Sequence, residues 1–319
     1  MNTILVTGAL GQIGSELVTK LRSLYGQDHV VATDIRPDAG SLIEGGGPYE
    51  MLDVRDGDRF FEIGKKYQVD AVIHLAALLS AKAEAQPQLA WHLNMTGLVN
   101  GLETARELQC QFFTPSSIAA FGPSTPKEQT PQDTIQRPNT IYGVTKVSGE
   151  LLCDYYYQRF GVDTRGVRFP GLVSYVAPPG GGTTDYAVEI YYHAVQQKKY
   201  TSYIAAGTKM DMMYMPDALD AIVQLMEADP DKLVHRNAFN ITAMSVAPED
   251  VAAAIKVEIP EFVLTYAVDP VRQRIAESWP NSIDARSAME EWGFRPKYDL
   301  QSMTRDMLDK LTERAITME

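Results

Sequence analysis

Ile4-Leu5-Val6-Thr7-Gly8-Ala9-Leu10-Gly11-Gln12-Ile13-Gly14-Ser15 is the stretch on which the reading of this 319-residue chain turns. Residues 2–7 predict a short, fully buried β-strand. Residues 15–25 carry Leu17, Val18, Leu21 and Leu24 at helical spacing. Residues 29–33 predict a second strand, ending at Asp34. Gly8 permits a tight turn between strand and helix. Gly11 lets the backbone approach a pyrophosphate, whose charge suits a helix N-terminus. Gly14 lets the helix pack on the strand. Asp34 is placed to bond the adenosine ribose hydroxyls of a dinucleotide. Three glycines alone would serve many turns; strand, turn, helix, strand and acid in this order point to dinucleotide binding.

Working outward, residues 37–48 are rich in Gly and Pro and predict a loop. Residues 49–52 predict a third strand ending at Asp53. That acid suits either the adenine amino group or the N-cap of a helix over 56–67. A fourth strand (71–75) leads into Ala76-Ala77, small enough to leave room for cofactor backbone. A long helix over 88–107 carries Asn94. A fifth strand (112–114) ends in Pro115-Ser116-Ser117, and a proline-rich loop covers 122–138. A helix over 140–160 and a sixth strand over 164–169 follow. This alternation predicts an α/β fold: a Rossmann-type, doubly wound parallel sheet with helices on both faces. After residue 170 the alternation weakens. A loop over 178–184 precedes helices over 185–197 and 216–228, strands over 200–204 and 238–241, and helices over 248–257, 284–292 and 300–311. We expect residues 1–170 to form the dinucleotide domain, with segments near 213–241 returning to it. Residues 171–319 would form mainly a smaller substrate domain. No internal repeat is visible.

Hydrophobic residues make up 45% of the chain, enough for a large core, and charged residues 22%. The net charge of −12 argues against nucleic acid or an anionic membrane as partner. The longest apolar run, 69–79, contains Asp70 and His74 and is too short to span a bilayer. The fold is expected to start at residue 3, so no signal peptide is expected within this sequence. The two cysteines, Cys110 and Cys153, suggest no disulfide framework and a reducing, cytoplasmic location. The five histidines are scattered, so no metal site is expected.

Tyr142-Gly143-Val144-Thr145-Lys146 puts a phenol and an ammonium on one helix face. A free tyrosine titrates at about 10. A nearby cation favours the phenolate, and a drop of about three units would correspond to about 4 kcal/mol. The expected result is a base able to take a hydroxyl proton near neutrality. Ser117, at the C-terminal end of a strand, lies at the edge where open parallel sheets bind ligands. It would hold the substrate oxygen while Tyr142 removes the proton.

The glycine triplet, Asp34, Asn94, Ser117, Tyr142 and Lys146 together resemble the extended short-chain dehydrogenase/reductase superfamily, over nearly the whole chain. The resemblance implies that the tyrosine is the acid/base, the lysine binds the nicotinamide ribose and the serine orients substrate. The asparagine would support a water-linked proton relay. Ser116 adjoins Ser117, and the pattern Ser-Ile-Ala-Ala-Phe-Gly favours Ser117. By the same resemblance the cofactor contacts are Gly8, Gly11, Gln12, Ile13, Gly14, Asp34, Ile35, Arg36, Asp53, Val54, Leu75, Ala76, Ala77, Asn94, Tyr142, Lys146 and Phe169. NAD is expected over NADP because Asp34 would repel a 2′-phosphate, with Arg36 as the counter-argument.

Within the superfamily, five stretches resemble the short-chain threonine 3-dehydrogenases: 76–81, 125–128, 178–189, 212–217 and 278–284. That resemblance implies NAD-dependent oxidation of the 3-hydroxyl of L-threonine to 2-amino-3-oxobutanoate. Ser80, Ser117, Tyr142, Thr183, Thr184 and Trp279 would surround the amino acid. It also implies a homodimer joined by the helices over 88–107 and 140–160. Simpler roles stay open: Ser80 capping a turn, Thr183 or Thr184 capping a helix, Trp279 in the core. Two other functions stay open as well. A nucleotide-diphosphate-sugar epimerase or dehydratase would use the same Ser-Tyr-Lys set, although no basic cluster after residue 170 suggests a diphosphate clamp. A non-catalytic NAD-sensing regulator would not need both Tyr142 and Lys146.

Overall fold

A computed structural model describes residues 1–40, 43, 46–176 and 182–317, with side chains to 314. Pro178 to Gly181, the start of the glycine-rich loop expected before Thr183, lie outside the described residues.

Six strands form the main sheet: β1 (Ile4–Thr7), β2 (Val30–Asp34), β3 (Tyr49–Met51), β4 (Ala71–His74), β5 (Gln111–Phe113) and, after the short β6 (Ser116–Ser117), β7 (Thr164–Arg165). Their order is β3-β2-β1-β4-β5-β7, and every pair is parallel. The doubly wound α/β fold expected from the alternation is therefore present. Side chains alternate between two cores. Leu5, Val31, Val72 and Phe112 face the helices α2 (Gly57–Tyr67), α4 (Pro87–Leu108) and α5 (Ile141–Phe160). Ile4, Val6, Ala32, Ile73 and Phe113 face the opposite way, toward α1 (Gln12–Tyr25) and the later α7 (Met215–Glu227). A short α3 (Ser80–Ala85), absent from the sequence reading, precedes α4.

The expected sixth strand, 164–169, is broken. β7 joins the main sheet, whereas β8 (Val167–Phe169) lies in a second sheet of order β12-β8-β6 with β12 (Phe239–Asn240). The break falls at Gly166, whose amide donates to Arg236 O at 2.9 Å and whose carbonyl accepts from Phe239 N at 3.0 Å. Both backbone groups serve the incoming segment, so the chain changes neighbours there.

The later chain holds more strands than its sequence suggests. β9 (Gly171–Val173), β11 (Met210–Tyr214) and β13 (Met244–Val246) form one small sheet, and β10 (Lys199–Ser202) pairs with β14 (Val263–Tyr266). With α6 (Tyr186–Gln197), α8 (Pro248–Glu258), α9 (Pro270–Ser278) and α11 (Leu300–Thr317), they enclose a third core around Tyr186, Tyr191, Met210, Ile255 and Phe262. The α10 helix (Arg286–Glu291) returns Ala288 to the core that holds α1 and α7. No helix among the described residues is long and apolar enough to cross a membrane.

Candidate active site

The turn after β1 is built as a cradle. Gly8 has φ +66°, and a Cβ there would lie 2.8 Å from Ala76 N. Gly11 N donates to Gly8 O at 3.0 Å, and Gly11 is the N-cap of α1. A Cβ on Gly14 would sit 2.3 Å from Gly8 O, so only glycine lets the helix approach the turn. Gly14 serves packing and lines neither cavity described below.

One cavity opens over the ends of β1, β2 and β3. Gly8, Gly11, Asp34, Ile35, Arg36, Asp53, Val54, Leu75, Ala76 and Ala77 line it, together with Leu52 and Leu93. Asp34 accepts from Leu10 N at 3.1 Å and from Arg36 Nε at 3.2 Å, while Arg36 Nη2 donates to Leu10 O at 2.7 Å. Arg36 is thus held by Asp34 and the glycine loop. Asp53 does not cap α2; Asp56 does, accepting from Arg59 N at 3.0 Å. Asp53 instead pairs with Arg55, which holds its carboxyl below the usual range.

A second cavity shares Leu75 and Ala77 with the first and continues over β6, β8 and the start of α6. Gln12, Ile13, Ser80, Ser117, Tyr142, Lys146, Phe169, Thr183, Thr184 and Trp279 all line it. Residues as far apart in sequence as Gln12 and Trp279 thus meet at one sheet edge. The sequence missed Leu79, Leu172 and Asp185 on the same wall. Asp185 carries a usable signal, since an acid three residues after Gly182 closes a cap by accepting Gly182 N at 2.6 Å. Thr183 Oγ1 and Gln12 Nε2 are buried without a hydrogen-bond partner among the described residues. Such groups are costly unless a ligand satisfies them.

Trp279 reaches this wall through a strap. Thr130 N donates to Ser282 O and Asp284 N to Thr130 O, both at 2.9 Å. Gln129 N donates to Ser282 Oγ at 2.8 Å, and Asn281 Nδ2 to Glu128 Oε1 at 2.6 Å. The stretches 125–128 and 278–284, far apart in sequence, are therefore one structural unit.

At the centre, Tyr142 and Ser117 line the same cavity, with the serine hydroxyl near enough to favour the phenolate. Thr140 starts the helix by accepting from Gly143 N at 3.1 Å, which aims Tyr142 and Lys146 along one face. Lys146 Nζ donates to Pro115 O at 2.7 Å and lies 5.4 Å from the Tyr142 ring centre. Asn94 sits behind, accepting from Leu78 N at 2.7 Å and donating to Thr145 Oγ1 at 3.2 Å. It lines a small separate void with His74 and Lys146. The sequence reading of the phenol requires correction. Burial pushes Tyr142 up to about 12, and the nearby Ser117 hydroxyl opposes this only in part. Burial also pushes Lys146 down to about 8. Desolvation outweighs the cation–phenol pairing that the spacing suggested.

The glycine cradle, Asp34 and the adjoining cavity that holds Ser117, Tyr142 and Lys146 form a candidate site of the kind an NAD-dependent α/β enzyme uses. Residues 4–242 match the NAD dependent epimerase/dehydratase family, and this chain belongs to that family. Its relatives include an uncharacterized epimerase/dehydratase of Staphylococcus saprophyticus, 61% identical over 98% of this chain and 97% of that protein. Among solved structures, it is similar to the L-threonine dehydrogenase of Clostridium difficile, with 67% identity, a TM-score of 0.97 and 99% of each chain covered. The L-threonine dehydrogenase of Phytophthora infestans is 48% identical, with a TM-score of 0.94, over 98% of this chain and 100% of that one.

Proposed function

We propose that this chain is an NAD-dependent L-threonine 3-dehydrogenase that forms 2-amino-3-oxobutanoate. One observation carries the reading: Ser117, Tyr142, Lys146, Ser80, Thr183, Thr184 and Trp279 share a single cavity that adjoins the glycine cradle. The likeness to solved L-threonine dehydrogenases supports it. The residues fit the cofactor, since the cradle has no space for a Cβ at Gly8 or Gly14 and Asp34 faces the adjoining cavity. When bound, NAD supplies the hydride acceptor and a positively charged ring.

The chain's own groups do the rest. The 3-hydroxyl lies between Ser117 and Tyr142, and its proton passes to the Tyr142 oxygen as the C3 hydride leaves. Lys146 places positive charge near that oxygen and bonds the ribose. Asn94 supports proton relay behind it. Thr183, Thr184 and Ser80 give neutral hydrogen bonds to the substrate's carboxylate, and Asp185 suits its ammonium group. Trp279 closes the wall beside the side-chain methyl. Among the described lining residues Lys146 is the sole cation, which disfavours a nucleotide-diphosphate sugar. We also propose a homodimer through α4 and α5. A reducing, cytoplasmic setting suits Cys110 and Cys153, which are both free and buried. The test is NADH production with L-threonine, D-threonine, L-allo-threonine, L-serine and UDP-sugars. Strong preference for a UDP-sugar, or no turnover with L-threonine, overturns the proposal.

A further inference from the structure

Three side chains on successive turns of α5 meet three successive residues of the strand end that carries the serine. Tyr142 faces Ser117 in the cavity, Lys146 Nζ donates to Pro115 O at 2.7 Å, and Ser116 Oγ donates to Glu150 Oε1. The third rung has no place in the chemistry above. Glu150 is 5% exposed, and both its oxygens are fully engaged. Arg168 Nε donates to Oε1 at 3.0 Å and Arg168 Nη2 to Oε2 at 2.8 Å. Gln136 Nε2 donates to Oε2 at 2.7 Å. Arg168, equally buried, spends its remaining nitrogen on Gln132 O and Asn240 Oδ1, at 2.8 and 3.0 Å. A fully bonded buried ion pair of this kind is geometrically rigid, and the loss of one partner is strongly felt.

We propose that Glu150 is a positioning residue for the reaction: it fixes the Ser116–Ser117 backbone through Ser116 and holds negative charge one turn from Lys146. The proposal rests on the dehydrogenase reading for its catalytic consequence; its effect on Lys146 follows from a buried, fully bonded carboxylate placed four residues on along α5. Among the described residues, the titratable and charged groups around Lys146 are His74 from β4, Arg168 from β8, Asp185 on the wall of the shared cavity and, on its own helix, Tyr142, Glu150 and Cys153. His74 is buried and pushed down to about 3, so it stays neutral there. Of the surrounding groups Glu150 is the carboxylate that opposes the burial of the ammonium. Removing its charge therefore lets Lys146 lose its proton at lower pH.

The experiment uses Glu150→Gln and Ser116→Ala in the full chain with NAD bound. The ¹³Cε resonance of Lys146, assigned with Lys146→Met, is titrated in each variant, and turnover on L-threonine is measured in parallel. In Glu150→Gln the Lys146 midpoint is expected to fall by about half a unit or more, a threefold change in its protonation equilibrium. In Ser116→Ala the midpoint is expected to stay while kcat falls about tenfold and KM and NAD affinity hold. The titration needs no substrate, so a failed threonine assay leaves it readable. An unmoved Lys146 midpoint in Glu150→Gln overturns the proposal, as does wild-type kcat in Ser116→Ala. If Glu150→Gln does not fold, the kcat-against-KM split in Ser116→Ala decides alone.

Discussion

At Tyr142 the sequence named the group and mistook the direction of its environment. A Tyr-xxx-Lys spacing suggests a phenol made acidic by an ammonium, yet desolvation in the half-buried site pushes Tyr142 up to about 12 and Lys146 down to about 8. Burial is a property of the whole site and is not written in a four-residue spacing. The sign for activity follows. Tyr142 must lose its proton to act as base, so kcat/KM at saturating NAD is expected to rise with pH, and the cofactor's positive charge lowers the midpoint. On the alkaline side, loss of the Lys146 proton through about 8 removes the charge that stabilises the phenolate. A profile that falls between pH 6 and 8 contradicts this assignment. Tyr142→Phe is expected to lose about 10²–10⁴-fold in kcat while NAD affinity, read by titration calorimetry, holds. Asp34 makes a separate prediction. It holds Arg36 and the Leu10 amide, so Asp34→Ala should weaken NAD about tenfold, or about 1.4 kcal/mol, and release Arg36 to accept NADP. Unchanged NAD/NADP preference in that variant removes Asp34 from cofactor choice.

At the scale of elements, the glycine turn is where local sequence and tertiary packing agree most closely. Gly14→Ala would drive a methyl against Gly8 O and Ala9 Cα. Overpacking of this kind costs about 1–3 kcal/mol, so a clear drop in Tm is expected by scanning calorimetry, together with weaker NAD binding. A Tm equal to wild type would show that the turn can shift. Most elements up to about residue 160 are legible because each carries its own signal, a buried apolar run or a helical stripe; the six-residue α3 is too short to show one. Beyond that, β9 and β13 are strands of three residues. They exist only because distant partners supply their hydrogen bonds, as Met212 pairs with Gly171 and Met210 with Val246. The break at Gly166 was invisible for the same reason. The residues named for the site lie near strand ends and helix ends, which the fold brings to one sheet edge. Asp185 escaped because its cap geometry shows only once Gly182 is in place.

For the whole molecule, the outer faces of α4 and α5 are the feature to explain. Val144, Leu151 and Tyr155 share one side of α5 and are 38%, 63% and 53% exposed, and Trp91 on α4 is 45% exposed. Apolar surface left in a patch commonly marks an interface. A symmetric homodimer joined through these helices is expected by light scattering at micromolar concentration, and Leu151→Arg should shift it toward monomer without changing the glycine cradle. A monomeric mass for wild type rules this assembly out. The strap that delivers Trp279 to the cavity has an optical consequence. The indole is 5% exposed and lies on the same wall as Tyr142 and Lys146, whereas Trp91 is on the outer face of α4 and Trp292 packs against Phe239 and Phe294. Reduced nicotinamide formed in that cavity absorbs where an indole emits. Turnover should therefore quench the blue-shifted part of the tryptophan emission and raise sensitised nicotinamide fluorescence. Trp279→Phe should abolish most of that transfer, so the enzyme carries its own reporter for the filling of its site.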